Sequence, residues 1–133
     1  MQRARMIRTL CILFLAGFLI TPAFSQQATE QRKIEYLISS IADLHDARFV
    51  RNGSEFDSQR AADHLRFKLR FAGSRVKTAE DFIACCATGS SMSGEKYWIK
   101  FPDGRLVAAA EFLRGKLAAY LAQEQSTAHV LGN

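Results

Sequence analysis

From Glu30 to about Leu44 the apolar residues fall at Ile34, Leu37, Ile38, Ile41 and Leu44. That i, i+3, i+4, i+7 spacing predicts an amphipathic helix, with Glu30, Arg32, Lys33 and Asp43 on its other side. The period then changes. Phe49-Val50-Arg51 reads as a short extended segment. Asn52-Gly53 tolerates the positive φ angles of a tight turn, which either closes a hairpin or only redirects the chain. A second helix opens at Asp57 or Ser58, either of which can cap free backbone N–H groups. It runs through Ala61, Ala62, Leu65, Leu69 and Ala72 to a stop at Gly73. Phe67 and Phe71 are expected to widen its apolar side.

Thr78-Ala79-Glu80-Asp81 has the form of a capped helix start, with acids in the first turn to suit the helix dipole. The helix is short, carrying Phe82, Ile83, Cys86 and Ala87 before Gly89. Ser90 to Gly94 is a loop. Tyr97 to Phe101 has strand composition, Pro102-Asp103-Gly104 is a turn, and Leu106-Val107 can return as the partner strand. On that strand, alternation sends Tyr97, Ile99 and Phe101 to a core face and Trp98 and Lys100 to the other. A last helix over about Ala109 to Ala122 buries Phe112, Leu113, Leu117, Tyr120 and Leu121. These elements define an α+β fold: a small helix-dominated single domain of about four helices packed with a short antiparallel β-hairpin. The hairpin is too small to stand without the helices. The globular domain is expected over residues 34–122, between a polar leader at 26–33 and a flexible tail at 123–133.

The first 25 residues follow a different rule. Arg3, Arg5 and Arg8 precede an unbroken apolar stretch from Leu10 to Ile20, followed by Thr21-Pro22 and Ala23-Phe24-Ser25. A basic start, a short apolar centre and small residues at a cut site are the parts of a secretory signal peptide, with cleavage expected between Ser25 and Gln26. The apolar stretch has 11 residues. At about 1.5 Å per helical residue it is too short for a hydrocarbon layer of about 30 Å. The sequence therefore predicts a periplasmic protein with no stable membrane span in the mature chain. Cys11 precedes the apolar stretch instead of following it, which does not fit a lipid-attachment cysteine. No two arginines are adjacent in this segment, so a twin-arginine signal is absent too.

Export changes the charge balance. The whole chain of 133 residues has 18 Lys+Arg against 13 Asp+Glu, a formal charge of +5. Without the three arginines of residues 1–25, 15 basic residues face 13 acidic ones, a net of +2 over 108 residues. That excess is too small to imply a nucleic-acid partner. Cys85 and Cys86 are then the only cysteines. Adjacent cysteines rarely pair, because the small ring strains the peptide between them, so no disulfide is expected. They read as small buried or half-buried apolar residues.

Phe49 to Gly53, His64-Leu65-Arg66, Lys68-Leu69, Thr78-Ala79-Glu80 and Phe82-Ile83 recur in a known order. Ser90-Ser91, Ser93-Gly94, Tyr97 and Phe112-Leu113 continue it. Together they resemble the YfeK-like proteins, small exported proteins of Gram-negative bacteria classed as a domain of unknown function. The likeness covers about Ile34 to Leu121. It implies export to the periplasm and assigns no reaction. Ala47 and Ser58 depart from it, since the resemblance implies a cysteine at these places in some members.

Candidate chemistry is sparse. Ser93-Gly94-Glu95-Lys96 fits the Ser-x-x-Lys of penicillin-recognising enzymes. That chemistry needs the serine at a helix start, whereas here it sits in a loop before a strand, without the companion motifs. Turn chemistry and a solvated lysine account for it. His64 shares a helix side with Arg60, Phe67 and Phe71, and Lys68 follows at i+4. No acid is placed to orient its ring, so it reads first as a hydrogen-bonded structural histidine, then as a ligand contact, and last as a base. His45, His64 and His129 lack metal-ligand spacing, and no cofactor motif occurs. Arg51-Asn52-Gly53-Ser54 can cradle an anion or simply turn the chain. Trp98 is either covered by a helix or exposed as a partner or carbohydrate surface. The expected function is a non-catalytic binding or interaction module of the cell envelope. Its candidate surface is Arg51, Asn52, His64, Lys68, Ser91, Ser93, Tyr97 and Trp98. The expected partner is an envelope protein or cell-wall component. The alternative is a small envelope hydrolase using His64 with a loop serine, which requires the two to meet within about 3.5 Å.

Overall fold

The computed structural model describes residues 22–132. Four α-helices and four short strands follow one another as α1 (Pro22–Ala42), β1 (Arg48–Arg51), β2 (Ser54–Phe56), α2 (Ser58–Ala72), α3 (Ala79–Phe82), β3 (Trp98–Lys100), β4 (Leu106–Ala108) and α4 (Ala109–Leu131). The α+β class follows directly. The charged start and apolar stretch of the expected export segment lie outside the described residues, apart from its last few positions. No helix among the described residues is long and apolar enough to cross a membrane.

The heptad-like spacing on α1 is realised as read: Ile34, Leu37, Ile38 and Ile41 are all buried. Asn52 and Gly53 take φ angles of 49° and 73°, which closes β1 and β2 into a hairpin. Its register pairs Phe49 with Phe56 and Arg51 with Ser54. Ala47 and Ser58, which flank the hairpin, are both buried. Asp57 caps α2 by accepting the Arg60 N–H at 2.8 Å, and Gly73 ends the helix at φ 55°. Thr78 and Asp81 form a reciprocal capping box on α3. From Ile83 to Ala87 the chain widens into a π turn, which the Thr88 hydroxyl closes by donating to the Ile83 carbonyl at 3.0 Å.

Five expectations need correction. The hairpin is half of a larger sheet: β1 and β3 pair antiparallel, giving the order β2-β1-β3-β4. No local pattern reports this pairing, because the two strands lie far apart in sequence and are brought together as their core residues Phe49 and Ile99 come opposite each other. Residues 26–33 are not an extended leader but part of α1, and Glu30 anchors them. Its carboxylate accepts from Lys33 at 2.7 Å and from the Ala79 N–H at 2.8 Å, tying α1 to the start of α3. The tail from Gln123 continues α4 to Leu131 as an exposed helix. Once a helix is nucleated by buried residues, adding each further residue is cheap, and no glycine or proline interrupts α4 after Gly115 until Gly132. Phe67 and Phe71 face solvent at 56% and 79% exposure. Phe67 lies two residues beyond buried Leu65, about 200° around the helix, so it points away from α1. Finally Cys86 is buried but Cys85 is exposed, and both are free thiols.

The core lies between the helices and one face of the sheet. Leu37, Ile38, Phe82, Ile83, Ile99 and Leu113 are fully buried. Each such side chain contributes roughly 1.5–3 kcal/mol of transfer free energy. Trp98, Lys100 and Leu106 lie exposed on the other sheet face, which no helix among the described residues covers.

Candidate functional site

The core face of the sheet changes character toward the hairpin. Strand alternation that buries Phe49 and Ile99 also turns Arg51 and Tyr97 inward, because each lies two residues from its apolar neighbour. Helix α2 lies against this corner and presents His64 and Lys68, one turn apart. Arg51 reaches the His64 Nδ1 at 2.7 Å, and the His64 Nε2 lies 3.2 Å from the Tyr97 hydroxyl. Lys68 Nζ donates to the Gly89 carbonyl at 2.7 Å and reaches the Tyr97 hydroxyl at 3.4 Å. The His64 and Tyr97 rings meet edge-on, with centroids 5.8 Å apart.

The direction of these bonds follows from the donors. Arginine and the lysine ammonium have no acceptor, so the His64 Nδ1 accepts from Arg51. The ring proton then sits on Nε2 and is donated to the Tyr97 oxygen. Burial, followed by the positive charges of Arg51 and Lys68, holds the His64 pKa below its ordinary value, which keeps this neutral tautomer. Burial likewise pushes the Lys68 ammonium down and the Tyr97 hydroxyl up.

Gly89 has a steric role in this arrangement. A Cβ there would sit 2.6 Å from the Glu95 carbonyl oxygen, because the backbone of residue 89 bridges to Lys96. The π turn delivers the chain to this close approach, which leaves the Gly89 carbonyl free for Lys68.

Beside the network lies a cleft of about 170 Å³ between α2 and the sheet. Its depth is set by Ile41, Phe49, Leu65 and Ala109, all buried. Arg51, Arg60, His64 and Tyr97 supply its polar groups, while Phe56 and Trp98 border it. Phe56 carries two guanidinium groups on its ring, Arg51 at 4.8 Å and Arg60 at 5.4 Å from the centroid. No aspartate or glutamate lines the cleft.

Of the eight residues singled out in the sequence, Arg51, His64, Lys68 and Tyr97 form one bonded group. Asn52 and Ser93 meet just outside it, the serine hydroxyl donating to the Asn52 side-chain oxygen at 2.8 Å. Trp98 is 38% exposed and borders both the cleft and the outer sheet face. Ser91 is exposed in the loop. Neither serine is a partner of His64, whose two ring nitrogens go to Arg51 and Tyr97. Sequence reasoning missed Phe56, Arg60 and Gly89 as parts of this corner. Arg60 carried a usable signal, its i−4 spacing from His64. Phe56 and Gly89 carried none, since their roles come from strand pairing and from a backbone approach.

This small α+β scaffold with a cation-rich corner matches the pattern of a family of unknown function, DUF5329, over residues 28–121. The chain belongs to that family. Among curated proteins it is 37% identical to the uncharacterized protein YfeK of Salmonella typhimurium over 84 residues, 62% of this chain and 70% of that one. No solved structure matches it.

Proposed function

We propose that this protein is a non-catalytic binding module of the bacterial envelope, acting in the periplasm, and that the cleft between α2 and the sheet is its binding site. The observation that supports this reading is the junction of an apolar recess with the polar groups of Arg51, Arg60, His64 and Tyr97 on a sheet-and-helix frame. Export rests on the order of charge and apolarity in residues 1–25. Of the residues that cleavage after Ser25 removes from α1, Ala23, Phe24 and Ser25 are exposed. The hydrolytic reading with a loop serine gains no support, because the His64 ring nitrogens go to Arg51 and Tyr97 and to neither Ser91 nor Ser93.

Ala61 lines the cleft from α2 and is half-buried. Ala61→Phe fills the recess while leaving the polar network in place. Wild type and variant, both confirmed folded by circular dichroism, are immobilised and exposed to an envelope extract, and the bound material is compared by mass spectrometry. The expected outcome is a component retained by the wild type and lost from the variant. Equal retention by both would remove the cleft from the proposal. N-terminal sequencing of the protein from a periplasmic fraction is expected to begin at Gln26.

A further inference from the structure

We propose that the cleft is an oxyanion site whose ligand is a small apolar molecule bearing one carboxylate or phosphate group; this rests on the cleft being the binding site. Three independent features of the corner converge on that chemistry.

The first is the one-way run of hydrogens. Arg51 donates to the His64 Nδ1, the Nε2–H donates to the Tyr97 oxygen, and Lys68 donates to the same oxygen. The phenol oxygen is thus supplied with two donors, and its own hydrogen has no acceptor among the described residues. The network ends in a donor on a residue that lines the cleft. Only an acceptor completes it.

The second is charge. Five ion pairs occur among the described residues, and they use Lys33, Arg66, Lys100, Arg105 and Arg114. Among the described residues, Arg51, Arg60 and Lys68 have no carboxylate within 4.0 Å. Arg51 and Lys68 are half-buried, so solvent screens them only in part. Arg51 and Arg60 both lie over the Phe56 ring and line the same cleft, and guanidinium groups are the side chains that take an oxyanion by paired hydrogen bonds.

The third is size and lining. The recess of about 170 Å³ is comparable to the roughly 150 Å³ apolar cavity that accommodates benzene. Its deep wall is Ile41, Phe49, Leu65 and Ala109. A ligand with one ring or one branched chain fills that wall while its anionic head meets Arg51, Arg60 and the Tyr97 hydroxyl.

Isotope-labelled protein, isolated after expression of the full chain, is titrated with phenylacetate, phenyl phosphate and neutral phenylacetamide. Amide and side-chain NMR shifts of His64, Tyr97 and Trp98 report binding. At least one of the two anions is expected to bind about tenfold or more tightly than the amide, the usual scale for a hydrogen bond to a charged group. Whichever anion binds tighter identifies the head group. Arg60 is exposed, so Arg60→Gln keeps the fold and is expected to bring the ratio of anion to amide affinity close to one. Amide binding equal to both anions would overturn the oxyanion assignment and leave the cleft standing as a binding site. No shift from any probe at about 10 mM, well above the roughly millimolar range expected of such small ligands, also overturns it. The cleft itself is then judged by the separate Ala61→Phe capture.

Discussion

The centre of the domain and its Arg51–His64–Tyr97–Lys68 corner stand on the same sheet face but are built on opposite rules. At the centre, Leu37, Phe82, Ile99 and Leu113 are fully buried and carry no polar atom in their side chains. At the corner, four polar side chains are drawn inward and satisfied mainly by one another. Apolar packing is non-directional and tolerant of which neighbour fills a space. The corner is directional: each donor needs a particular acceptor, and three cations sit together without an acid. An apolar corner would fold more simply. The proposed binding role rests on this polarity, whereas the centre serves stability.

Three substitutions or conditions break this comparison in graded ways. Phe82→Ala strikes the centre and carries the largest effect. Phe82 is fully buried on α3, which packs against α1 and the π turn, so its truncation is expected to cost about 3–5 kcal/mol. Denaturant midpoints measure this, and a loss under about 1 kcal/mol would show that the centre collapses around the gap. Gly89→Ala strikes the support of the corner. The added Cβ meets the Glu95 carbonyl at 2.6 Å, and overpacking of this kind costs about 1–3 kcal/mol. It should also shift the Lys68 and Tyr97 resonances while leaving those of Leu37 and Leu113 in place. Matching shifts at both places would mean that the two regions are not separable.

The smallest effect is a pH dependence confined to the corner. The His64 pKa is lowered from 6.5, first by burial and then by Arg51 and Lys68. The unfolded chain therefore takes up this proton before the folded one does. Stability from His64 is fully present above about 6.5 and is lost as pH falls from there through the folded value. Thermal midpoints measured from pH 7.5 down to pH 5 should fall more steeply for the wild type than for His64→Gln, which has no such proton to gain. Parallel curves would remove His64 from the coupling. His45 and His129 are exposed and present in both proteins, so their contributions cancel.

Most of the frame was readable along the chain because its signals are local. The α1 stripe, the Asn52-Gly53 turn, the Asp57 and Thr78 caps and the Gly73 stop each depend on residues within a few positions of one another. Half of the corner was readable for the same reason: His64 and Lys68 are neighbours on one helix, and Arg51 and Tyr97 stood out on short strands. Local signals also misled. Phe67 and Phe71 were assigned to the apolar side by type, yet helix α1 covers a different face of α2. Residues 26–33 and 123–131 lack an apolar stripe, and they are helical by continuation from buried turns.

By itself the sequence determined the α+β class, the order of the elements, the turn and cap positions and the polar residues available for recognition. It also carried the family pattern in recognisable order. The tertiary structure alone decided that β1 and β3 pair, that Arg51 and Tyr97 therefore meet His64, and that Phe56 holds two arginines beside an apolar recess. Backbone pairing between strands nearly fifty residues apart depends on which apolar faces bury together. A hydrogen-bond network built across that pairing exists only once the burial is complete.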